Sequence, residues 1–389
     1  MLLPLFFVCA IQGIDPRKLL RTVRSSPWAA ALTGKARLYA LDLDLGAFAH
    51  SAEVRRHVSP PVIERDGAGC TQVNDPIYSN SPLVFASPTR RAYRIFDPIV
   101  HVSAGRALIK VNDSSGSRCV GLAAGSTSQE VSIRNIRPIL RHAAKIASYP
   151  LTVALFPWTN NFFHWVIEVI PTLERLDSQR SDAEILTIPL HPSRTLSTFQ
   201  QETLKVLGIC PVNFRDSFIR PRQALLASSP GLLSFSKSDG HRLQAFKQRC
   251  KGATARESTS LEMPRADPIF VSRSMSSRYS SDAQLLETHL LDYGWNVLNC
   301  EQLSLLEQVD LFARSTLVAG SHGAGLGNVA WMSSNSQVIE VGSRKYWHAS
   351  VPLLAEVMGV RYSFIDLDEV GPEQTASLLQ QIRSQSTHD

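Results

Sequence analysis

Residues 315–331 read STLVAGSHGAGLGNVAW, and they are the most informative part of the sequence. An apolar run at 316–319 predicts a buried strand, and the glycine-rich turn that follows carries one histidine, His322. The apolar pattern after the turn is suited to a helix. Glycines let a ligand approach the backbone, and the start of a helix offers unpaired N–H groups and the positive end of a dipole. This order of elements therefore predicts an anion site, with a phosphorylated ligand as the expected occupant.

Alternating strands and helices extend outward from this turn. Strands are predicted at 269–272, 295–298, 316–319, 337–341 and 360–365, and helices at 281–293, 305–313 and 351–358. Ser281 and Ser304 are the expected N-caps of the first two helices. Upstream, the same alternation predicts strands at 151–156 and 183–188, and helices at 162–176 and 196–207. This pattern indicates an α/β fold of parallel sheets covered by helices.

The 389-residue chain is too long for one ordinary core and suits two domains. Residues 1–80 are predicted to be an unassigned N-terminal extension with irregular structure, and short apolar runs at 83–86 and 107–111 predict further β structure. Residues 81–250 form the first predicted domain. The segment 251–267, KGATARESTSLEMPRAD, has no apolar periodicity and is the expected linker, and residues 268–389 form the second domain.

Amino-acid composition limits the kinds of binding partner that we expect. The 40 basic and 34 acidic residues give a net charge of +6, which favours small anionic ligands. The sequence contains no dense stripe of Lys and Arg, so it does not predict nucleic-acid binding. The six cysteines form no CxxC pair, which is typical of free thiols in a reducing compartment such as the cytoplasm. The apolar run 2–11 is shorter than the roughly 20 residues that a membrane span needs. Basic residues follow it (Arg17, Lys18, Arg21 and Arg24), so weak contact with a membrane surface is compatible with the sequence.

Two blocks of sequence resemble glycosyltransferase family 61. The first comprises FVSRSMSSRY (270–279), LSLLEQVDLFARSTLVAGSHGAGLGNVAWM (303–332) and VIEVG (338–342). The second, NFFHWVIEVIPTLERL (161–176), lies upstream as it does in the family. The family includes bacterial capsular-polysaccharide enzymes, plant xylosyl- and arabinosyltransferases and animal O-linked N-acetylglucosaminyltransferases. The resemblance covers roughly residues 85–365, and residues 1–80 resemble nothing that we can place.

The resemblance implies a GT-B-like fold, in which two Rossmann-like domains face each other across a cleft. The N-terminal domain would hold the acceptor, a glycan such as a growing surface polysaccharide. The C-terminal domain would hold the nucleotide sugar, with UDP as the expected nucleotide. The implied reaction is an inverting sugar transfer that needs no cofactor and no essential metal.

The candidate donor-binding residues lie in the C-terminal half. His322, Gly323, Ala324, Gly325 and Asn328 belong to the glycine turn, where the histidine would donate a hydrogen bond to the donor diphosphate. Arg273 and Arg278 flank the loop after the strand at 269–272, and ligands of α/β sheets gather outside the carboxyl ends of strands. A guanidinium there can bind two phosphate oxygens at once. Glu340, a carboxylate in an apolar strand, is a candidate for holding ribose hydroxyls.

His164 and Glu168 are the candidate catalytic residues. They are four positions apart on one predicted helix and therefore share a face, where a carboxylate could deprotonate an acceptor hydroxyl or polarise the histidine. Many relatives carry aspartate at the position of Glu168. Pro171 is expected to end or kink this helix. The aromatics Phe162, Phe163 and Trp165 could form either core or a wall for stacking sugars.

Three alternatives compete with this interpretation. Asp42 and Asp44, or Asp366 and Asp368, could form the metal-binding DxD of a GT-A transferase, although three-residue motifs arise often by chance. The run GAGLGN lacks the third glycine of a dinucleotide fingerprint, because Asn328 stands there, so an oxidoreductase is disfavoured. A relative that binds a glycan or a nucleotide without catalysis is the remaining alternative.

Overall fold

The computed structural model describes the chain over residues 62–63, 69–73, 83–87, 89–102, 106–113, 116–123, 146–156, 158–181, 184–216, 218–254, 268–276 and 279–386. Predictions for residues 1–61, for Arg278 and for most of the linker lie outside the described residues. The prediction for Asp42 and Asp44 is therefore among those that lie outside the described residues.

A mixed sheet forms the N-terminal half of the described chain. Its strands are β1 (Val62–Ile63), β4 (Arg91–Phe96), β5 (Ile99–His101), β6 (Arg106–Asp113), β7 (Gly116–Ala123), β8 (Ser148–Leu155), β9 (Leu186–Leu190), β10 (Cys210–Asn213) and β11 (Phe218–Ala227). The order β10-β9-β8-β11-β5-β6-β7 is parallel from β10 to β11 and antiparallel beyond, with β4 pairing β11 and β1. A separate hairpin joins β2 (Gly69–Val73) and β3 (Leu83–Ser87). Strands were therefore correctly predicted at 83–86, 107–111, 151–156 and 183–188, with ends shifted by a few residues.

The helices of this half follow the parallel strands. They are α1 (Phe162–His164), a π-helical turn (Trp165–Val169), α2 (Ile170–Asp177), α3 (Thr198–Leu207) and α4 (Lys237–Thr254). The predicted helix at 162–176 is thus continuous but changes its winding. Pro171 does not end it, because the Ile170 amide bonds to the Trp165 carbonyl five residues back. The wider π-helical turn at this point avoids a steric clash between the proline ring and the preceding carbonyls.

A fully parallel sheet forms the C-terminal half. It contains β12 (Ile269–Val271), β13 (Asn296–Leu298), β14 (Leu317–Ser321), β15 (Gln337–Gly342) and β16 (Arg361–Asp366), in the order β13-β12-β14-β15-β16. Its helices are α5 (Ser281–Asp292), α6 (Leu305–Arg314), α7 (Ser350–Met358), α8 (Leu367–Val370) and α9 (Pro372–Ser386). Short 3-10 helices span Cys300–Gln302, Ala324–Trp331 and Arg344–Tyr346. The apolar pattern after the glycine turn is therefore helical, but with 3-10 winding.

Side-chain caps explain where two of these helices, α5 and α6, begin. The Ser304 hydroxyl accepts from the Glu307 amide while the Glu307 carboxylate accepts from the Ser304 amide, so the predicted cap of α6 is confirmed as a capping box. The prediction for α5 was wrong by one residue. Ser280, and not Ser281, accepts from the Ala283 amide and begins that helix.

One hydrophobic core unites the two halves. Its members include Trp165 and Ile170 from the helical segment after β8, and Val271, Leu326 and Trp331 from the C-terminal sheet and its 3-10 helix. Helix α4 contributes as well, and it continues into the predicted linker as far as Thr254. The described residues therefore form an α/β fold with one mixed and one parallel sheet, which confirms the predicted class.

A buried triad of charges ties helices α2 and α4 to the segment just before β4. Asp239, at the start of α4, lies 2.8 Å from Nη2 of Arg90 and 3.0 Å from Nη2 of Arg175, and all three side chains are at most 2% exposed. Burial alone would raise the pKa of Asp239, but the two guanidiniums and the Ser236 hydroxyl outweigh it and hold that pKa below its ordinary value. Arg175 lies on α2, which continues directly from the π-helical turn that carries Glu168, so the triad fixes this helical segment.

In the described part of the chain, every helix is too short or too polar to cross a bilayer.

Candidate active site

The strand order of the C-terminal sheet creates a crevice between two loops. From β12 the chain adds β13 on one side, then crosses over to add β14 on the other side. The loops that follow β12 and β14 therefore diverge, and such a switch point at the carboxyl ends of parallel strands is where α/β proteins bind ligands. Arg273 follows β12 and His322 follows β14, so the fold brings these two predicted residues together at the switch point.

Arg273 lies directly on the glycine turn. Its Nη1 donates to the carbonyl oxygen of His322, and its Nη2 lies 3.2 Å from the Ser276 hydroxyl. A methyl group at Gly323 would come within 2.9 Å of the Arg273 Nε. Gly323 therefore makes room for the guanidinium, and the turn holds a positive charge at the mouth of the crevice.

His322 is hydrogen-bonded to a buried carboxylate. Its Nδ1 is hydrogen-bonded to Oε1 of Glu340, which has no exposed surface, while the imidazole is 29% exposed. The other oxygen of Glu340 accepts from the Tyr362 hydroxyl at 2.6 Å, and Trp347 Nε1 donates to that hydroxyl at 2.8 Å. Burial, together with the charge of Glu340, raises the pKa of Tyr362 above its ordinary value, so the phenol stays a donor. The chain of contacts orients the ring and leaves Nε2 as the nitrogen on the exposed side.

This geometry places Glu340 behind His322. The sequence suggested it as a ligand for ribose hydroxyls, but both of its oxygens are engaged by protein groups and it does not reach solvent. Its effect on a ligand would pass through the imidazole.

The glycines of the turn serve packing. A methyl group at Gly320 would come within 2.8 Å of the Val271 Cβ, and one at Gly325 within 2.6 Å of its Cγ1. Both distances are shorter than real contacts, so these glycines let β14 and the 3-10 helix close on β12. Residues Ser321–Gly325 remain partly exposed, whereas Asn328 is fully buried and its amide donates to Gln308 and to the Gly325 carbonyl. Of the predicted residues of the turn, Asn328 is the one that the structure places in the core.

The predicted pair on the upstream helix is also in contact. Nδ1 of His164 lies 3.4 Å from Oε1 of Glu168, with the histidine side chain 36% exposed and the carboxylate 7% exposed. The Asn161 side chain accepts from the His164 amide and caps the helix start. Such a pair can take up a proton at an exposed imidazole and share it with a sheltered carboxylate.

The two candidate groups lie on elements that pack closely against each other. A methyl group at Gly327 would lie 3.3 Å from the Cα of Phe163, which precedes His164. The helix start that carries His164 therefore packs on the 3-10 helix that follows the His322 turn.

The family model of glycosyltransferase 61 matches residues 162–339, from the first residue of α1 into β15. The chain carries a glycosyltransferase family 61 domain. The protein is therefore a glycosyltransferase, as the resemblance predicted. A comparison with curated proteins found no match. The matched segment includes His164, Glu168, Arg273 and the His322 turn, and it ends one residue before Glu340.

Of the three aromatic residues around His164, Phe163 and Trp165 belong to the core, whereas Phe162 is half-buried. Trp165 is fully buried and donates from Nε1 to the Thr203 hydroxyl at 3.0 Å, and Phe163 is 6% exposed. Trp158, in the preceding loop, is also half-buried, and Arg194 lies over its ring. The sequence analysis missed both residues, and the only available signal was their position just after predicted strands.

The second DxD motif lies just beyond the family 61 domain and has a structural role. Asp366 accepts from the Asp368 amide and caps α8, and it also lies 3.2 Å from the Nε of Arg344. Asp368 accepts from the Ser343 hydroxyl at 2.6 Å. These carboxylates fasten the loop after β15.

Proposed function

We propose that this family 61 protein is an inverting glycosyltransferase with a GT-B-like arrangement. The donor would be a nucleotide sugar, with UDP as the expected nucleotide, and the acceptor a hydroxyl group of a glycan such as a surface polysaccharide. The parallel sheet, residues 268–389, would bind the donor, and the mixed sheet, residues 81–250, would bind the acceptor. The shared core between the two halves supports a single site between them.

The donor diphosphate is assigned to the switch point of the parallel sheet. Arg273 supplies a fixed positive charge there, and the exposed side of His322 supplies a hydrogen-bond donor at Nε2 when the ring is protonated. The buried Glu340 sets the orientation of that ring. Arg278 belongs to the same loop by sequence and is proposed as an additional phosphate ligand.

The reaction requires one bond to form and one to break. The acceptor oxygen attacks the anomeric carbon, the bond from that carbon to the diphosphate breaks, and its electron pair leaves with the phosphate oxygen. We assign the acceptor proton to His164 or Glu168, which form a contacting pair at a helix start. Arg273 and His322 would stabilise the negative charge that develops on the leaving diphosphate, so that no essential metal is needed.

The observation that carries this proposal is that His322, which is hydrogen-bonded to the buried Glu340, lies beside Arg273 at the switch point. Purified protein should be incubated with UDP-, GDP- and CMP-linked sugars, and the thermal midpoint and the release of free nucleotide should be measured for each. A specific donor stabilises the folded state by mass action. We expect the sugars linked to one nucleotide to raise the thermal midpoint of the protein and to release free nucleotide slowly. No stabilisation by any nucleotide sugar would contradict the proposal.

A further inference from the structure

The strand next to the His322 turn ends in a loop that begins right beside that turn. Strands β14 and β15 pair as far as Ser321 with Val341, and the His322 amide donates to the Val341 carbonyl at 2.9 Å. A methyl group at Gly342 would lie 3.2 Å from the His322 Cβ. The residues that follow Gly342 therefore leave the sheet alongside the turn that we assign to the donor diphosphate.

The far end of this loop is linked to His322 as well. Trp347 donates from Nε1 to the Tyr362 hydroxyl at 2.8 Å, and that hydroxyl donates to Glu340 at 2.6 Å. Glu340 is in turn hydrogen-bonded to the His322 ring. Both ends of the segment 343–347 are thus fastened to the residues that orient His322, and the segment lies beside the crevice.

Side chains along the loop also fix its backbone. The Ser343 hydroxyl donates to Asp368 at 2.6 Å, and the Nε of Arg344 lies 3.2 Å from Asp366. The Tyr346 amide donates to the Ser343 carbonyl at 3.0 Å and closes the 3-10 turn. The backbone at Tyr346 is therefore held in place by the fold.

Tyr346 presents an aromatic ring to solvent from this fixed backbone. It is 75% exposed, the highest fraction among the large hydrophobic residues of the part of the chain that the structure describes. One Cα–Cα step and one 3-10 turn separate it from Gly342, so the two Cα atoms lie within about 10 Å of each other. Tyrosine has only two side-chain torsions to order, so a ligand that covers this ring would cost little conformational entropy.

A nucleoside diphosphate matches this arrangement. Its ribose separates the phosphates from a flat nucleobase, so phosphates at His322 place the nucleobase one nucleoside away. Nucleobases stack on aromatic side chains, and each of them has a π-face for this contact. Met275, in the loop after β12 on the other side of β14, is 64% exposed but offers no aromatic face. The loop after β15 is therefore the side of the crevice that fits a nucleobase.

We propose that the nucleobase of the donor stacks on Tyr346 while its diphosphate lies at the His322 turn. This inference rests on the proposed function, because it extends the donor site of the same reaction from the phosphates to the nucleobase. It makes the loop after β15 the part of the protein that distinguishes a nucleotide from a free diphosphate.

The test compares nucleotides with an anion that lacks a nucleobase, on the full chain. Dissociation constants of UDP, GDP, CDP and inorganic pyrophosphate are measured by calorimetry for wild-type protein and for Tyr346→Ala. The nucleotide that wild type binds best should bind Tyr346→Ala about five- to a hundred-fold more weakly, the range for stacking one nucleobase on an aromatic side chain. Pyrophosphate should bind both proteins equally, because its contacts end at the phosphate site.

Further variants separate stacking from structure. Tyr346→Phe keeps the aromatic face and should bind nucleotide as wild type does. Two controls at exposed residues, Tyr293→Ala after α5 and Arg361→Gln at the amino end of β16, should leave every affinity unchanged. Circular dichroism and the thermal midpoint report whether each variant folds, and Tyr346→Leu serves if the alanine variant does not.

Wild-type nucleotide affinity in folded Tyr346→Ala would overturn the proposal. An equal loss of affinity for nucleotide and pyrophosphate would overturn it too, because the loop would then only support the phosphate site. In both cases wild type still binds nucleotide, so only the stacking contact is wrong. Failure of wild type to bind any of the three nucleotides contradicts the proposed function itself.

Discussion

His322 presents its imidazole at the surface while its Nδ1 is hydrogen-bonded to Glu340, a carboxylate with no exposed surface. A buried carboxylate that holds one ring nitrogen determines which nitrogen faces a ligand, and it makes orientation of the ring a property of the fold. Tyr362 extends this control, because its hydroxyl occupies the other oxygen of Glu340 at 2.6 Å.

Tyr362→Phe should reduce kcat about ten-fold, because it removes one hydrogen bond from Glu340 and lets the His322 ring move. Tyr293→Phe, at an exposed tyrosine after α5, is the control and should leave kcat unchanged. An unaltered kcat in folded Tyr362→Phe would show that the contact is only structural.

Glu168→Gln tests the acceptor side, because it keeps the shape of the side chain and removes its basicity. If Glu168 takes the proton, kcat should fall roughly 10²–10⁴-fold with little change in donor affinity. His164→Ala should have a smaller effect if the histidine only orients Glu168, and an equal or larger one if it is the base. Wild-type rates in both folded variants would remove this helix from the mechanism.

The glycines of the turn should separate into two classes. Gly325→Ala should lower the thermal midpoint, because the new methyl group would lie 2.6 Å from the Val271 Cγ1, and Val271→Ala should partly restore it. Gly323→Ala meets the flexible Arg273 side chain and should mainly weaken nucleotide binding. Gly252→Ala, in α4 with open space around it, is the control and should stabilise slightly. The prediction is wrong if Gly325→Ala melts like wild type.

The sequence was sufficient for elements whose signal is local. The periodic strands and helices around the glycine turn, the capping box at Ser304 and the pairing of His164 with Glu168 all depend on neighbours within a few residues. Helix α4 was missed because it is polar and contains Gly240. That glycine is needed where the helix packs on α7, because a methyl group there would lie 2.7 Å from the Val357 Cγ1. Strand β11 was missed for a similar reason, since Pro221 and charged residues interrupt its apolar run.

The site was predicted less completely, because its supporting contacts are distant in sequence. Glu340 was recognised as an anomalous carboxylate, but Tyr362 and His322, which occupy it, are 22 and 18 residues away. The contact of Arg194 with Trp158 likewise depends on the pairing of β8 with β9. Such contacts follow from sheet topology and leave no local pattern.

Stability should depend on pH through Glu174, which is buried on α2. Burial is the largest cause that raises its pKa, from 4.5 to about 7, against the opposing charge of Arg249. The folded state therefore holds this proton more tightly than the unfolded state, and the free energy of unfolding should fall as pH rises from about 4.5 to 7, by up to about 3 kcal/mol. Glu174→Gln should flatten that slope in urea titrations, whereas exposed Glu373→Gln should not. An unchanged slope in Glu174→Gln would contradict the assignment.

The most direct test of the account is calorimetric titration of UDP into the full chain in the presence of EDTA. Wild-type protein should bind UDP without metal, and Arg273→Ala should weaken binding by about 1.5–3 kcal/mol, since it removes a charged hydrogen-bond donor from the switch point. Arg361→Gln should bind as wild type does. Equal affinity of Arg273→Ala and wild type, or binding by wild type that appears only after manganese is added, would contradict the claim that Arg273 and the His322 turn hold the donor diphosphate.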